Sequence, residues 1–252
     1  LLFGKGGQVG WGLQRSLAPL GEVVALDHDS EAVCGLCGNF SDLAGLAETV
    51  RKVAPQVIVN AAAYTAVDKA EQEPELAFAV NRDGPAHLAA ACARLQIPLL
   101  HISTDYVYDG RKPGPYVEDD ATAPLGVYGA SKLAGDEAVR RWLPRHLILR
   151  VSWVFGVHGH NFVKTILRLA REREELRVVA DQHGGPTFAG DIADTLLELA
   201  GRIAEIDANA AWGTYHYCGE PATTWHGFAS AIVELARARE SLRVQTVTAI
   251  TT

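Results

Sequence analysis

The sequence predicts an α/β fold, a doubly wound parallel sheet with a smaller lobe at the C-terminal end. Short apolar runs alternate with helical patterns through the first 150 residues, which is typical of parallel sheets with helices on both faces. A glycine-rich turn joins the first of these runs to the first helical pattern. Polar and small residues follow several of the apolar runs, at the sheet edge where such folds bind their ligands.

The expected elements follow from periodicity, in chain order. The apolar run at Leu1–Phe3 ends a first strand, and a helical pattern follows through Leu13, Leu17 and Leu20. We expect later strands at 22–26, 57–60, 98–102, 147–154, 178–180 and 215–218. We expect later helices at 41–53, 75–95, about 128–142, 162–173, 191–206 and 225–239.

The first turn predicts a dinucleotide site of the Rossmann type. Gly4, Gly7 and Gly10 form a Gly-x-x-Gly-x-x-Gly pattern between a strand and a helix, where backbone amides can approach a pyrophosphate. Asp27 ends the second strand, about 20 residues further on, where an acidic side chain holds the adenosine ribose. We therefore expect a dinucleotide-binding domain over residues 1–150. Residues 151–252 should form mainly a substrate-binding lobe, with some strands returning to the sheet.

The stretch from His101 to Lys132 carries the candidate catalytic groups. Tyr128 and Lys132 are four residues apart at the start of a helical pattern, so both side chains lie on one helix face. A nearby ammonium favours the phenolate and would lower the tyrosine pKa from its usual value of about 10. Thr104, at the end of the fourth strand, could hold a substrate oxygen. The same spacing also fits a solvated helix face, but the preceding Ser-Thr-Asp and the glycine turn favour a site.

Further candidates surround this stretch. Small residues after the third strand would let a flat cofactor pass close to the backbone. Trp153 follows the fifth strand and fits either a core aromatic or a surface that packs on a deoxysugar ring. The loop 181–187, together with Asn161 and Lys164, offers donors for a nucleotide diphosphate.

Composition limits the partners. The net charge of −7 and pI of about 5.7 argue against a nucleic-acid partner. No apolar run reaches the roughly 18 residues of a membrane span, and we expect a cytoplasmic protein. Cys34 and Cys37 lack a second ligand pair, so reduced thiols and no metal site are expected. The chain begins inside a strand and has no methionine, from which we expect that its natural start and some further residues are missing from the sequence.

The sequence resembles the extended short-chain dehydrogenase/reductase family, and within it the reductases of nucleotide-linked keto sugars. The resemblance spans Leu1 to Thr187 and extends to a segment near Thr223. The motifs that carry it are LLFGKGGQVGWGLQ, VIVNAAAYTAVDKAE, HISTDYVYDG, APLGVYGASKLAGD, RVSWVFG, NFVKTILRLA, DQHGGPT and TTWHGFA. It implies reduction of the C4 ketone of dTDP-4-dehydro-6-deoxy-L-mannose to dTDP-L-rhamnose, with NADPH or NADH as the cofactor.

The resemblance also implies roles for individual residues. Tyr128 is the expected general acid. Lys132 would adjust the pKa of Tyr128 and bind a ribose of the cofactor, and Thr104 would be the third catalytic residue, acting through its hydroxyl. Asp105 and Trp153 would belong to the substrate pocket. The residues implied at the cofactor, besides Tyr128 and Lys132, are Gly4, Gly7, Gln8, Val9 and Gly10 at the pyrophosphate, Asp27 at the ribose, Asn39 and Phe40 at the adenine, and Ala63, Tyr64 and Thr65 along its length.

Two other functions stay open at this point. A nucleotide-sugar epimerase shares the Tyr-x-x-x-Lys pair, and a non-catalytic regulatory subunit of the methionine adenosyltransferase type shares the fold. Position 12 is glycine where the family often has a glutamate that takes part in a metal-bridged dimer, and position 39 is Asn where Asp is usual. We therefore expect a monomer or a homodimer without that bridge.

Overall fold

A computed structural model describes residues 1–205 and 212–252. The strands are β1 (Leu2–Phe3), β2 (Ala25–Leu26), β3 (Ile58–Asn60), β4 (Leu99–Thr104), β5 (His146–Val151), β6 (Val154–Phe155), β7 (Glu175–Val179), β8 (His183–Gly184), β9 (Thr187–Phe188), β10 (Gly213–Tyr217), β11 (Thr223–Thr224) and β12 (Thr246–Ile250). The helices are α1 (Gln8–Ser16), α2 (Glu31–Cys34), α3 (Leu43–Val53), α4 (Val67–Ala70), α5 (Pro74–Phe78), α6 (Gly84–Leu95), α7 (Val127–Trp142), α8 (Phe162–Glu172), α9 (Ala189–Glu205) and α10 (Trp225–Arg237).

The central sheet has the order β10-β5-β4-β3-β1-β2 in the described part of the chain. All of its strand pairs are parallel. Strand β2 lies on one side of β1. The chain then crosses to the other side of β1, where β3, β4 and β5 follow one another. This reversal confirms the predicted doubly wound fold and opens a crevice beside the carboxyl end of β1, where such sheets bind their ligands.

Two apolar cores cover the two faces of this sheet. Leu2 belongs to the core on one face and the adjacent Phe3 to the core on the other, because successive side chains of a strand point to opposite faces. Helices α1 and α9 pack on the Leu2 face, while α3, α6 and α7 pack on the Phe3 face. These layers fix the strand ends from which the candidate site residues project.

A third core lies in the C-terminal part of the chain. It joins α8, α10 and β7 through apolar residues that include Ile166, Leu176 and Ile232. Strand β12 pairs with β7 in parallel, with Thr246 opposite Glu175. Residues 213–217, in contrast, form β10 and pair with β5 in the central sheet.

The predicted strand over 147–154 is interrupted in the structure. Strand β5 ends at Val151, and β6 begins at Val154 and pairs with β9 instead. Between them Trp153 has a φ of +48°, a left-handed backbone that a continuous strand cannot accommodate. Hydrophobicity alone does not reveal this break.

The predicted helix over 75–95 is also interrupted. Residues Ala79–Asp83 form a π-helical segment between α5 and α6. Such bulges occur often at functional sites because they redirect a side chain. Here the segment carries the buried side chain of Asn81.

Other boundaries differ by a few residues. Strand β7 begins at Glu175, and the short strands β8 and β9 lie within or beside the predicted loop 181–187. Helix α9 begins at Ala189, and the predicted end of this helix at residue 206 lies outside the described residues. Strand β12 was not among the predicted strands, although the start of its sequence alternates polar and apolar residues as half-buried strands do.

In the described residues, no helix has the length and hydrophobicity needed to cross a bilayer. The four cysteines are free thiols. Ligand atoms of Glu31, Cys37 and Asp42 lie within 4.8 Å of one another. However, the Asp42 carboxylate accepts a hydrogen bond from the amide of Gly45 and so caps α3. Burial raises the pKa of the Cys37 thiol, which disfavours the thiolate that a metal needs, so we assign no metal site there.

Candidate active site

The candidate catalytic helix α7 begins against the end of α4. Its N-cap residue, Gly126, has no side chain to accept a hydrogen bond. The Glu71 carboxylate caps the helix instead, because it accepts a 2.7 Å hydrogen bond from the amide of Val127. A Cβ on Gly129 would overlap the carbonyl of Tyr106. The first turn of α7 is therefore held close to the end of β4, and Tyr128 lies in it with 8% of its surface exposed.

The structure brings Thr104, Asp105 and Tyr128 together. Thr104 is the last residue of β4, and its hydroxyl donates to the Asp105 carboxylate at 3.2 Å. Burial is the largest influence on the pKa of Tyr128 and raises it above its usual value, while the neighbouring Thr104 hydroxyl acts in the opposite direction. Burial also raises the pKa of Asp105 to about 6. A tyrosine that keeps its proton at neutral pH suits a general acid.

Lys132 lies one turn beyond Tyr128 and is 2% exposed. Its Nζ donates a 2.7 Å hydrogen bond to the carbonyl of Ile102. Burial lowers the pKa of Lys132 to about 8, opposed by the charge of Asp136. The sequence predicted that the lysine would lower the pKa of Tyr128. In the structure, burial is the largest influence on Tyr128 and acts in the opposite direction.

The glycine turn lies at the carboxyl end of β1 and leads into α1. A Cβ on Gly10 would overlap the carbonyl of Gly4, so the helix can approach the strand this closely only with glycine at that position. The N-terminus of α1 has no side-chain cap, and its partial positive charge suits a diphosphate. Val9 is buried beneath the turn. Gln8 connects the turn to the C-terminal half, since its Oε1 accepts a 3.1 Å hydrogen bond from Asn161.

Asp27 ends β2 beside the same turn. Its Oδ2 accepts a 2.9 Å hydrogen bond from the amide of Gly6, and its Oδ1 accepts one of 3.1 Å from the amide of His28. These contacts hold the carboxylate at the rim of the crevice. Asp27 thus lies at the end of β2 beside the glycine turn, and its role at the ribose stays a prediction.

Asn39 and Phe40 do not share one environment. The Asn39 side chain accepts a 3.0 Å hydrogen bond from the amide of Ser41. The Phe40 ring is buried and packs edge-to-face on Phe3 at 5.4 Å, and a Cβ on Gly84 would overlap it. The ring belongs to the core between β1 and α6, so only the backbone of Phe40 can face an adenine.

The turn after β3 is fixed by a residue that the sequence analysis missed. Asn81, from the π-helical segment, accepts a 2.8 Å hydrogen bond from the amide of Tyr64 and donates one of 3.0 Å to its carbonyl. The same amide nitrogen donates to Ser131 on α7 at 3.0 Å. Asn81 therefore links the turn that carries Ala63, Tyr64 and Thr65 to the candidate catalytic helix. A polar residue within an apolar helical pattern was the available signal.

Tyr64 is also held at its other end. Its hydroxyl donates a 2.7 Å hydrogen bond to Glu73, and this bond raises the pKa of Tyr64. The side chain thus points along α4 and α5. The backbone of the turn is the part that can line a cofactor.

Trp153 stacks on Trp225, the first residue of α10, with ring centroids 3.5 Å apart. Both residues are partly exposed. Gly184, in the 181–187 loop, lies against the Trp153 indole, and a Cβ there would overlap the ring. The stack lies just beyond the end of β5, which is adjacent to β4 and its terminal Thr104. Trp225 was not among the predicted site residues.

Asn161 and Lys164 have structural partners. Asn161 caps α8 by accepting a 3.1 Å hydrogen bond from the amide of Lys164, and its Nδ2 donates to the carbonyl of Gly156 at 2.7 Å. The Lys164 ammonium donates to the carbonyl of Gly159 at 2.9 Å. These side chains order the loop before α8, which approaches the glycine turn through Gln8.

The crevice fits a dinucleotide. Three suitable features lie along the carboxyl edge of the sheet. They are the uncapped N-terminus of α1, the glycines that expose the backbone, and the Asp27 carboxylate at the end of β2. Thr104, Tyr128 and Lys132 lie at the ends of the neighbouring elements. This is the set of groups that binding a dinucleotide and protonating a nearby carbonyl would need.

The chain is similar to known proteins along its whole length. The family described as RmlD substrate binding domain matches residues 1–252. The dTDP-4-dehydrorhamnose reductase of Escherichia coli K12 is 50% identical over 238 residues, which cover 94% of this chain and 78% of that protein.

Two solved structures share the fold across 100% of this chain and 83% of theirs. The dTDP-4-dehydrorhamnose reductase of Clostridium acetobutylicum has a TM-score of 0.88 at 33% identity. That of Bacillus anthracis, in complex with NADP, has a TM-score of 0.86 at 35% identity. With a match along its whole length and half of its residues identical to those of a reductase, the chain belongs to the dTDP-4-dehydrorhamnose reductase family.

Proposed function

We propose that this protein uses NADPH or NADH to reduce the C4 ketone of dTDP-4-dehydro-6-deoxy-L-mannose, giving dTDP-L-rhamnose in the last step of dTDP-rhamnose synthesis. The observation that carries the proposal is the meeting of Thr104, Asp105 and Tyr128 at the end of β4, beside a dinucleotide crevice. The reductases that match this chain support the same reaction.

Tyr128 is the proton donor in this proposal. The bound nicotinamide supplies the hydride. Tyr128 holds its proton because burial raises its pKa, and it releases the proton to the ketone oxygen as negative charge develops there. Thr104 holds the same oxygen by a second hydrogen bond. Lys132 provides a positive charge that favours the phenolate left behind.

The cofactor would lie along the carboxyl edge of the sheet. Gly4, Gly7, Gln8, Val9 and Gly10 would hold the diphosphate through backbone amides. Asp27 would bind the adenosine ribose, with the backbone of Asn39 and Phe40 near the adenine. Ala63, Tyr64 and Thr65 would line the cofactor, and Lys132 would also bind the nicotinamide ribose.

The substrate would bind between the two halves of the chain. We propose residues 1–150 as the dinucleotide-binding domain and 151–252 as mainly the substrate-binding lobe. The third core, built from α8, α10 and β7, supports this division, and β10 is a strand of the second half that returns to the sheet. Asp105 would accept a hydrogen bond from a sugar hydroxyl, and Trp153 would offer an apolar face to the sugar ring.

The alternatives have less support. The UDP-glucose 4-epimerase of Brucella ovis shares the fold at 20% identity, whereas reductases reach about half identity over nearly the whole chain. A regulatory subunit would not need the Thr104–Tyr128 pair buried beside a cofactor crevice.

We also propose that the protein acts in the cytoplasm as a monomer or homodimer. Four free thiols support a reducing compartment. Position 12 faces α9, because a Cβ on Gly12 would lie 3.3 Å from the Cβ of Ala193. A glutamate-mediated metal bridge at that position is therefore not expected.

The reaction product tests the proposal. The purified protein is mixed with NADPH and the keto sugar, and the nucleotide sugar formed is identified by proton NMR. We expect dTDP-L-rhamnose. Recovery of a C4 epimeric sugar, or of an epimerised keto sugar with NADPH unchanged, would assign the protein to another reaction.

A further inference from the structure

Three charged side chains lie buried between α7 and the central sheet, behind the candidate site. Lys132 is 2% exposed, Asp136 0% and Arg150 4%. Lys132 and Asp136 are one turn apart on α7, so their side chains share a helix face. Since a buried charge is costly without a partner, their contacts show how the charges are balanced.

Asp136 is the centre of this group. Its Oδ2 accepts hydrogen bonds from the Ser103 hydroxyl at 2.9 Å and from Nε of Arg150 at 3.3 Å. Its Oδ1 has no hydrogen-bond partner among the described residues and lies 3.8 Å from Nε2 of His101. One oxygen is thus satisfied by Arg150 and Ser103, and the other faces His101.

The hydrogen bonds of Asn60 define the tautomer of His101. Oδ1 of Asn60 accepts a 3.0 Å hydrogen bond from the amide of Ala62. The Nδ2 group of Asn60 therefore donates to Nδ1 of His101, at 2.9 Å. With Nδ1 as an acceptor, the ring proton of His101 is on Nε2 and points towards Asp136.

His101 cannot supply the positive charge that Asp136 lacks on this side. Burial lowers the pKa of His101 well below its usual value, and the charge of Lys132 lowers it further. The imidazole is therefore neutral at physiological pH. Lys132, one turn before Asp136 on α7, is the cation whose charge acts most strongly on Asp136, ahead of Arg150 and Arg140.

Lys132 needs this negative charge more than a surface lysine would. The hydrogen bond from its Nζ goes to a neutral carbonyl, that of Ile102. Burial favours the uncharged amine, and Asp136 is the charge that opposes this effect. The other ionisable groups facing this cluster are Tyr128 and Arg140 on α7, His101 on β4, His146 and Arg150 on β5, and Asp105 after β4.

We propose that Asp136 is a positioning residue that keeps Lys132 in its ammonium form inside the protein. Burial raises the pKa of Asp136, and the charge of Lys132, the hydrogen bond from Ser103 and the charge of Arg150 oppose that effect. Ser103 and Arg150 hold the carboxylate in place, and the neutral N–H group of His101 faces it at 3.8 Å. The importance of the charge for turnover rests on the proposed function. The protonation state of Lys132 can be measured without it.

The direct test is the titration of Lys132 in the protein without substrate. The six lysines are labelled with ¹³C, their side-chain shifts are followed against pH, and the signal of Lys132 is assigned from its loss in Lys132→Met. We expect a midpoint near 8 in the wild type. In Asp136→Asn the midpoint should fall by roughly one unit or more, since an adjacent opposite charge typically shifts a pKa by that much.

Two variants separate the charge of Asp136 from its packing. Ser103→Ala removes a hydrogen bond from the same carboxylate but keeps its charge, and should lower the midpoint much less than Asp136→Asn does. Glu137→Gln removes an equal charge one residue away, on the exposed side of α7, and should leave the midpoint unchanged. An unchanged or raised midpoint in folded Asp136→Asn would overturn the proposal. So would a wild-type midpoint below about 7, where the lysine is neutral at physiological pH, even if Asp136→Asn does not fold.

The kinetic arm follows the pH profile of kcat/KM for ketone reduction, which reports the ionisation of the enzyme without substrate. The alkaline limb should move to lower pH in Asp136→Asn by the same amount as the NMR midpoint. A shifted midpoint with an unshifted limb would mean that the charge of Lys132 does not control turnover, which contradicts the catalytic role proposed for Lys132 but not the role of Asp136. A uniform loss of kcat/KM at every pH, with the midpoint unchanged, would make Asp136 a purely structural residue and overturn the proposal.

Discussion

The indole of Trp153 stacks on the indole of Trp225, with ring centroids 3.5 Å apart and planes inclined by 9°. Trp153 holds this position on a left-handed backbone, with φ of +48°. Because Trp225 begins α10 and Trp153 follows β5, the stack joins the C-terminal core to the end of the central sheet. The proposed sugar-facing surface therefore depends on residues from both halves of the chain.

Trp225→Leu should weaken substrate binding without affecting the cofactor. The stack contributes about 0.5–1.5 kcal/mol beyond buried area, so we expect KM for the keto sugar to rise by roughly 2- to 12-fold, with KM for NADPH unchanged. Trp142→Leu, at the exposed end of α7, is the matched control and should leave both constants as they are. An equal rise in KM for the keto sugar and for NADPH would instead indicate general damage to the fold.

Both nicotinamide cofactors should support the reaction. Asp27 can bind the ribose hydroxyls of NADH and would repel the 2′-phosphate of NADPH, and we expect the positive charge of Lys5 in the glycine turn to offset part of that repulsion. We expect the values of kcat/KM to differ by less than about a thousandfold. They are measured side by side with one batch of keto sugar.

Asp27→Asn tests the cause of this balance. Two like charges about 4 Å apart repel by about 1 kcal/mol even in water, so the variant should raise the NADPH-to-NADH ratio of kcat/KM by roughly fivefold or more. Asp29→Asn, which removes an exposed charge nearby, serves as the control. An unchanged ratio in Asp27→Asn would place this carboxylate away from the 2′ position.

Glu71→Ala should destabilise the start of the catalytic helix. The Glu71 carboxylate replaces the cap that Gly126 cannot provide, and loss of a cap costs about 0.5–2 kcal/mol. Glu71→Gln keeps an oxygen acceptor and should recover most of this free energy of unfolding, measured in urea. Equal stability of the Ala variant and the wild type would show that the contact contributes nothing.

Asp105 should make substrate binding depend on pH. Its pKa is raised to about 6, so the carboxylate that accepts a sugar hydroxyl is lost as the pH falls below that value. We expect KM for the keto sugar to rise below pH 6 in the wild type and to lose this dependence in Asp105→Asn. The stability effect has the opposite sign. Because the folded state binds the proton more tightly than the unfolded chain, the contribution of Asp105 to folding decreases as the pH rises from about 4 to 6.

The sequence was informative where the relevant contacts are local. The four-residue spacing of Tyr128 and Lys132 and the glycine turn placed the main groups of the site, because helix geometry and turn geometry are set by neighbouring residues. Asn81 and Asp136 were missed, since their partners come from segments far away in the chain: Tyr64 and Ser131 for the first, Ser103 and Arg150 for the second.

Two further differences have the same origin. The resemblance implied that Phe40 lies at the adenine. Its ring instead packs in the core, in space that is open because residue 84 is glycine. The expected effect of Lys132 on Tyr128 followed from spacing alone. The burial of both residues, which reverses the direction of the Tyr128 pKa shift, depends on how α7 packs against the sheet.

Tyr128→Phe should reduce kcat strongly while leaving the fold intact. The variant keeps the ring, which packs edge-to-face on Tyr106 at 5.4 Å, and removes the donated proton. General acid catalysis typically contributes about 10²–10⁴ in rate, and we expect a loss in that range. Tyr106→Phe, in the adjacent and half-exposed ring, is the control that should retain most activity. Near-normal turnover by Tyr128→Phe would remove this residue from the mechanism.

The most direct test of the proposed function is the oxidation of NADPH in the presence of dTDP-4-dehydro-6-deoxy-L-mannose. This unstable keto sugar is generated in the same tube by the epimerase that precedes the reduction, and the NADPH absorbance is followed with and without the protein. We expect rapid oxidation that requires both the sugar and the protein. No oxidation by a folded protein that still binds NADPH would contradict it, and would favour a regulatory subunit.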